Sequence, residues 1–345
     1  MANISAEISM PIPENDLFRN GYVSFHIMAT EWCNLLCGYC YAPHSSKAGI
    51  STEQMQTMVG KIEELKLEKY WYDLSGGEIM GHKNWPKLLE IPLSTGQEVS
   101  VNTNGTLLND GNIGILKALN QKYPEKLFLS VSLDSHDPVI NKRLRPGEAS
   151  NNVFHAMELL KENNIRFRVA ITLSSVNRET IFNEVRYIVT HYSNELIIGV
   201  IRPVFPMTDA NKDLLIPLSD IQRIMVDVLS LKGELGDFKV YHCLDEKGNT
   251  FCEAGRDRVT IKVNGDVTAC YTLQSEKDVI GNIYRDTMSE IARRLHSVHA
   301  NRDKSVLLCE HQGNIWGEPT YRLGSDETSA AIAYDIDTQN AVNNK

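Results

Sequence analysis

With 345 residues, 42% of them hydrophobic and 23% charged, the chain can bury a sizeable core and has room for one large domain and a smaller companion. Its 35 Lys and Arg against 44 Asp and Glu leave a formal charge of -9, and no basic run could track a phosphate backbone, so nucleic acid is not an expected partner. No window reaches the roughly 18 apolar residues of a membrane span. The opening "MANISAEISMPIPENDLF" has acidic residues and prolines where a signal peptide needs a basic and then an apolar stretch, so a cytoplasmic protein without a membrane partner is expected.

Residues 1–21 read as an N-terminal extension. Six short runs rich in β-branched and aromatic residues then recur: "YVSFHIMAT" (22–30), "YWYDLS" (70–75), "QEVSVNT" (97–103), "LFLSVSL" (127–133), "RFRVAITL" (166–173) and "LIIGVIRP" (196–203). Helical spacing fills the intervals. Residues 51–66 open on Ser51 and Thr52 and place Met55, Met58, Ile62 and Leu65 three or four apart; similar segments lie near 109–122, 151–164, 178–192 and 218–232. The interval after the second strand, bracketed by Pro86 and Pro92, gives no clear helix.

Strand and helix alternating six times predict parallel strands joined by right-handed crossovers, in an open sheet or a complete or partial barrel over 22–235. From 236 to 322 the pattern changes. "RVTIKV" (258–263), the turn "NGD" and "VTACYT" (267–272) predict a β-hairpin, with a helix at about 287–297. Residues 323–345 lack periodicity and read as a flexible tail.

Seven cysteines cannot all pair within one chain, and a reducing compartment disfavours structural disulfides, which leaves metal binding or catalysis. Cys33, Cys37 and Cys40, spaced C-x3-C-x2-C, directly follow the first strand, at the end of an α/β sheet where ligand sites form. Three thiolates there can hold three corners of a [4Fe-4S] cube and leave one iron open, or they can bind zinc with a fourth ligand such as His44.

The motif "CNLLCGYC" resembles the signature of the radical S-adenosylmethionine (radical SAM) superfamily. "SGGE" (Ser75, Gly76, Gly77, Glu78) after the second strand is similar to that family's glycine-rich motif, and "VNTNGTLL" (101–108) and "SVSLDSHDPVINKRLRPG" (130–147) follow at the ends of the third and fourth strands. The resemblance implies a partial (β/α)6 TIM-like barrel with a [4Fe-4S] cluster on Cys33, Cys37 and Cys40 and S-adenosyl-L-methionine on its open iron. By position it implies cofactor-binding roles for Ser75, Gly76, Gly77, Glu78, Asn104, Ser132, Asp134 and Arg145. Gly76 and Gly77 would let the backbone approach a ligand closely, and Arg145, or its neighbour Arg143, would grip the cofactor carboxylate.

Cys243, Cys252, Cys270 and Cys309 lie beyond the barrel. "CEAGRDRVTIKVNGDVTAC" (252–270), followed by "GNI" (281–283), resembles the SPASM and twitch extensions of radical SAM enzymes, which implies a second, auxiliary [4Fe-4S] cluster on these four thiols. Only Cys309 stands where a full SPASM domain carries a further cysteine-rich block, so a twitch-like or truncated SPASM domain is implied. If Cys243 is not a ligand, it is a candidate hydrogen-atom donor to substrate.

Reductive cleavage of S-adenosylmethionine to a 5'-deoxyadenosyl radical, and hydrogen abstraction from a substrate, are what the resemblance implies. Two substrate readings stay open: a ribosomal peptide that is crosslinked, epimerised or oxidised, and a small aminosugar, polyol or nucleoside. A non-catalytic iron-sulfur or zinc scaffold is a third reading, one that would not need SGGE. Expected partners are a reductant such as flavodoxin or ferredoxin and, since only about twenty residues precede the first strand, a separate leader-peptide-binding protein. His82 and His136 have no ligand-like spacing and are expected at the surface or internally satisfied.

Overall fold

The apolar runs form one sheet because each alternates residues that pack beneath helices with residues that face inward. In the computed structural model, which describes residues 23–43, 49–146, 149–201, 212–241, 254–255 and 258–301, β1 (Val23–Thr30), β2 (Tyr70–Gly76), β3 (Glu98–Thr103), β4 (Leu127–Ser132), β5 (Phe167–Leu173) and β6 (Glu195–Val200) pair in that order, all parallel. Phe25 and Ile27, Tyr72 and Leu74, Val99 and Val101, and Leu129 and Val131 are buried in the core. Above them lie α1 (Thr52–Glu63), α2 (Trp85–Leu93), α3 (Asp110–Lys122), α4 (Pro138–Leu144), α5 (Ala149–Glu162), α6 (Ile181–His191), α7 (Leu218–Ser230) and the short α8 (Lys232–Leu235). This is the partial TIM-like barrel that the resemblance implies, one of the arrangements that the alternation leaves open.

Local signals explain the helix starts. Ser51 and Gln54 make a reciprocal capping box on α1, with Met55, Met58, Val59 and Ile62 turned to the core. The interval around Pro86 and Pro92 is helical after all: Pro86 stands in the first turn of α2, where its missing N–H costs nothing, and Pro92 lies next to the last residue. α4 was hidden inside the 130–147 motif, although Asp137, whose side chain accepts from the Val139 amide, and Pro138 are ordinary start signals.

Both edges of the barrel sheet are extended. β7 (Lys239–Tyr241) pairs parallel to β6, and β8 (Arg258–Ile261) pairs parallel to β1, with β9 (Asp266–Thr268) antiparallel to β8 and β10 (Gly281–Asn282) antiparallel to β9. The hairpin predicted at 258–272 thus continues the barrel's own sheet across residue 235, and α9 (Met288–Asn301) follows it. Residues 1–21, the 323–345 segment, His44, Cys243, Cys252 and Cys309 lie outside the described residues. Among the described residues, no helix is long and apolar enough to cross a membrane.

Gly265 closes the hairpin at φ 85°, and a Cβ there would overlap the Tyr284 ring. Gly265→Ala is expected to cost about 2 kcal/mol from the left-handed backbone and the clash together, read as a lower thermal midpoint.

Candidate functional site

The three-cysteine loop is suspended from the end of β2. Gly77 N–H donates to Thr30 O and Glu78 N–H to Trp32 O, both at 2.7 Å. Gly76 sits at φ 144°; a Cβ on it would overlap the Thr30 carbonyl, one on Gly77 the Trp32 carbonyl, and one on Gly81 the Trp32 ring. The space these glycines leave is therefore filled by the chain itself, and the Gly77 amide is spent on Thr30 rather than offered to a ligand.

Glu78 completes the suspension. Fully buried, its carboxylate accepts from Met80 N at 3.0 Å, Thr103 Oγ1 at 2.8 Å and Asn104 N at 2.7 Å, tying the SGGE turn to the end of β3. Burial still raises this carboxyl above its ordinary value, against the pull of those donors and Arg145. Asn104 then reaches the loop, donating from Nδ2 to Asn34 Oδ1 at 2.9 Å and to Cys33 Sγ at 3.8 Å.

Cys33 Sγ also accepts from Leu35 N at 3.4 Å, and Cys40 N bonds Cys37 O at 3.1 Å, turning the loop on itself. N–H donors aimed at sulfur suit a thiolate ligand. Burial pushes all three thiols up, Cys37 to about 11; Cys40 acts on both other thiols, and the Arg145 charge opposes the shift at Cys37 and Cys40. Among the described residues, no three His, Cys, Asp or Glu side chains converge as one bound ion requires. Three thiols in one loop, with N–H donors on Cys33 and the Arg145 charge beside Cys37 and Cys40, are a donor set that fits three corners of an iron-sulfur cube, whose metal would draw off the protons that burial holds on the sulfurs.

Behind the loop, Arg145 Nε donates to Asp134 Oδ2 at 2.8 Å in a buried pair, Asp134 Oδ1 accepts from Thr172 N at 2.7 Å, and the Tyr39 hydroxyl also bonds Asp134. The Arg145 guanidinium lies 5.7 Å from the Tyr39 ring centre. Arg143, by contrast, is exposed on α4. Ser132 is half-buried at the end of β4. His136 is satisfied internally, its Nδ1 and N–H both 2.6 Å from Glu184 Oε2, and His82 Nδ1 accepts from Asn84 N.

The sheet's inner face carries a polar chain that the sequence reading did not single out. Asn102 Nδ2 donates to Asp73 Oδ1 at 2.7 Å, His26 Nδ1 lies 2.8 Å from Asp73 Oδ2, His26 Nε2 lies 2.6 Å from Ser75 Oγ, and Ser75 bonds the Tyr41 hydroxyl. Alongside, Arg168 Nε donates to Ser130 Oγ at 2.7 Å. Burial alone would raise the Asp73 carboxyl, but His26, with Arg258 and Arg168 beyond it, holds it down at about 2. The available signal was a polar residue at an inward position of each apolar strand, legible only once the register is known.

Two cysteine segments meet at this chain. Cys40 and Cys270 are each followed by a tyrosine, and the Tyr41 and Tyr271 ring centres lie 4.7 Å apart, with His26 5.4 Å from Tyr271. Thr272 Oγ1 donates to Cys270 Sγ at 3.4 Å, and Gly255 N bonds Ala269 O at 3.1 Å, holding Gly255 beside the residue before Cys270.

The model of the Radical SAM superfamily matches residues 27–188, and that of SPASM, an iron-sulfur cluster-binding domain, matches 252–311. The chain carries a radical SAM domain. A SPASM domain follows the barrel, and the two domains imply a [4Fe-4S] cluster, S-adenosylmethionine and auxiliary iron-sulfur. It is 24% identical over 271 residues to the antilisterial bacteriocin subtilosin biosynthesis protein AlbA of Bacillus subtilis (strain 168), covering 76% of this chain and 57% of that one. It is 24% identical over 281 residues to the sporulation killing factor maturation protein SkfB of the same strain, covering 78% and 64%. The chain thus spans less than two thirds of either relative. Streptococcus suis SuiB, in a crystal structure bound to the precursor peptide SuiA, shares the fold at a TM-score of 0.70 and 14% identity, covering 82% of this chain and 68% of SuiB.

Because the Asp73 carboxyl is held below its unfolded value, near 4, its contribution to stability is present above that value and is lost as pH falls toward about 2. Asp73→Asn is expected to remove this acid-side slope and to destabilise by about 1–3 kcal/mol at neutral pH, measured by urea unfolding from pH 7 down.

Proposed function

We propose that this radical SAM protein is a peptide maturase that reductively cleaves S-adenosylmethionine and abstracts a hydrogen atom from a ribosomally made peptide, ending in a crosslink, an epimerisation or an oxidation. In this reading Cys33, Cys37 and Cys40 hold the cluster, and Cys270, with Cys243, Cys252 and Cys309, holds the auxiliary one. When held there, the cluster and S-adenosylmethionine would supply a one-electron cleavage of a carbon–sulfur bond, giving methionine and the 5'-deoxyadenosyl radical.

The residues of this chain do the placing. The SGGE turn and Glu78 fix the thiol loop at the mouth of the barrel. Asn104, Ser132, Asp134 and Arg145 are assigned to the cofactor side of that mouth, while Ser75, Gly76 and Gly77 form the turn that carries the loop. Arg145 would offer its terminal amines to a cofactor carboxylate while Nε stays on Asp134, which keeps the guanidinium from swinging. Further in, the chain from Tyr41 to Asn102 would give the substrate side hydrogen-bonding groups of fixed direction.

The observation that carries the reading is the meeting of the two cysteine segments through Tyr41 and Tyr271, over an inner face that bears His26 and Asp73. A scaffold protein has no need of such a join. The peptide substrate is favoured by AlbA and SkfB, which belong to bacteriocin biosynthesis and killing-factor maturation, and by SuiB with its precursor peptide. A flavodoxin or ferredoxin reductant and a separate leader-binding protein belong to the same proposal, and so does a cytoplasmic setting.

Cys37→Ala is expected to abolish 5'-deoxyadenosine formation under dithionite, measured by liquid chromatography; formation at the full rate would refute the cluster assignment. Cys270→Ala is expected to lower iron content and to keep S-adenosylmethionine cleavage, now uncoupled from peptide product; unchanged iron would refute the auxiliary site.

A further inference from the structure

Among the described residues, the two most exposed large hydrophobic side chains, Leu36 and Val139, are each 70% exposed, while other exposed ones reach 41% at most. They flank one seam. Leu36 precedes Cys37, and the amide of Gly38, just past that cysteine, donates to Leu144 O at 3.3 Å, where α4 ends. One face of α4 is buried through Asn141 and Leu144. On the other, Val139, Lys142 and Arg143 stand at i, i+3 and i+4, all exposed, and both cations have no ion-pair partner among the described residues. Among the described residues, the carboxylates that neighbour α4 in the chain are engaged: Asp137 caps the helix and Asp134 holds Arg145.

We propose that this face, built from Leu36, Val139, Lys142 and Arg143, is the docking surface for a small acidic one-electron carrier protein of the flavodoxin or ferredoxin class. The inference rests on the reading that Cys37 and its neighbours hold the redox centre. An electron reaches a buried centre fastest from the nearest surface, and the end of α4 is bonded to the cluster loop itself. The chain as a whole carries -9, so an acidic carrier is repelled over most of the surface and drawn to a local pair of cations. Two exposed apolar side chains beside them supply the short-range contact of a small transient interface. In the transfer the carrier loses one electron and the cluster gains one; no bond is made or broken.

The test compares two reductants on the holoprotein. In Lys142→Glu/Val139→Ser, 5'-deoxyadenosine formation driven by a purified, chemically reduced bacterial flavodoxin is expected to fall by about tenfold or more. The affinity of oxidised flavodoxin for the protein, measured by biolayer interferometry, is expected to fall with it, and added salt should weaken binding in the wild type. Formation driven by dithionite, which needs no docking, is expected to stay within about twofold, since the charge swap spares the cluster loop. Unchanged flavodoxin-driven rate and affinity would overturn the proposal. Should the double variant lose iron, Lys142→Gln read by affinity alone decides: a weakened, less salt-sensitive complex upholds the surface and an unaltered one overturns it. A wild-type protein inert under dithionite would instead contradict the thiol-cluster reading, while the affinity comparison still decides the docking surface.

Discussion

The site depends on the buried carboxylate of Glu78. Three donors from two different strand ends converge on it, so the turn after β2 and the end of β3 cannot move independently. Through the Gly76–Gly77 turn the same unit holds the end of β1, and the thiol loop begins there. A buried carboxylate is costly unless its oxygens are bonded, and here both are. This explains why a Glu follows the two glycines: the glycines let the chains touch, and the carboxylate fastens them. Ligand contacts are a separate matter from that fastening.

From this anchored mouth the inner face runs down into a polar chain of Tyr41, Ser75, His26, Asp73 and Asn102, in a sheet whose other face is almost wholly apolar. Buried polar chains of this kind fix side-chain direction at the expense of stability, a trade suited to a site that must aim a reactive species at one hydrogen atom. The hairpin joins the same design. By pairing β8 with β1, the fold brings Tyr271, next to Cys270, against Tyr41.

Much of this was legible in the sequence. Each barrel strand was found because apolar alternation is strong over six to eight residues, and the hairpin because Asn264-Gly265 permits few other conformations. Cysteine spacing pointed to the site, and the tyrosine after each of Cys40 and Cys270 lies in plain view. What stayed hidden depends on long-range register. Nothing local says that β8 pairs with β1, or that His26 faces Asp73 across β1 and β2. Local competition hid the rest: Pro86 and Pro92 masked α2, and a motif read for ligands masked α4. Gly76 and Gly77 were read as room for a ligand because sequence cannot distinguish approach by a ligand from approach by the chain.

The most direct measurement is electron paramagnetic resonance of the anaerobically purified, dithionite-reduced protein before and after S-adenosylmethionine is added. A [4Fe-4S]+ signal whose g values shift with the cofactor, and which disappears in a variant lacking the three loop thiols, is the predicted result. Zinc in place of iron, or an iron signal indifferent to S-adenosylmethionine, would contradict the account.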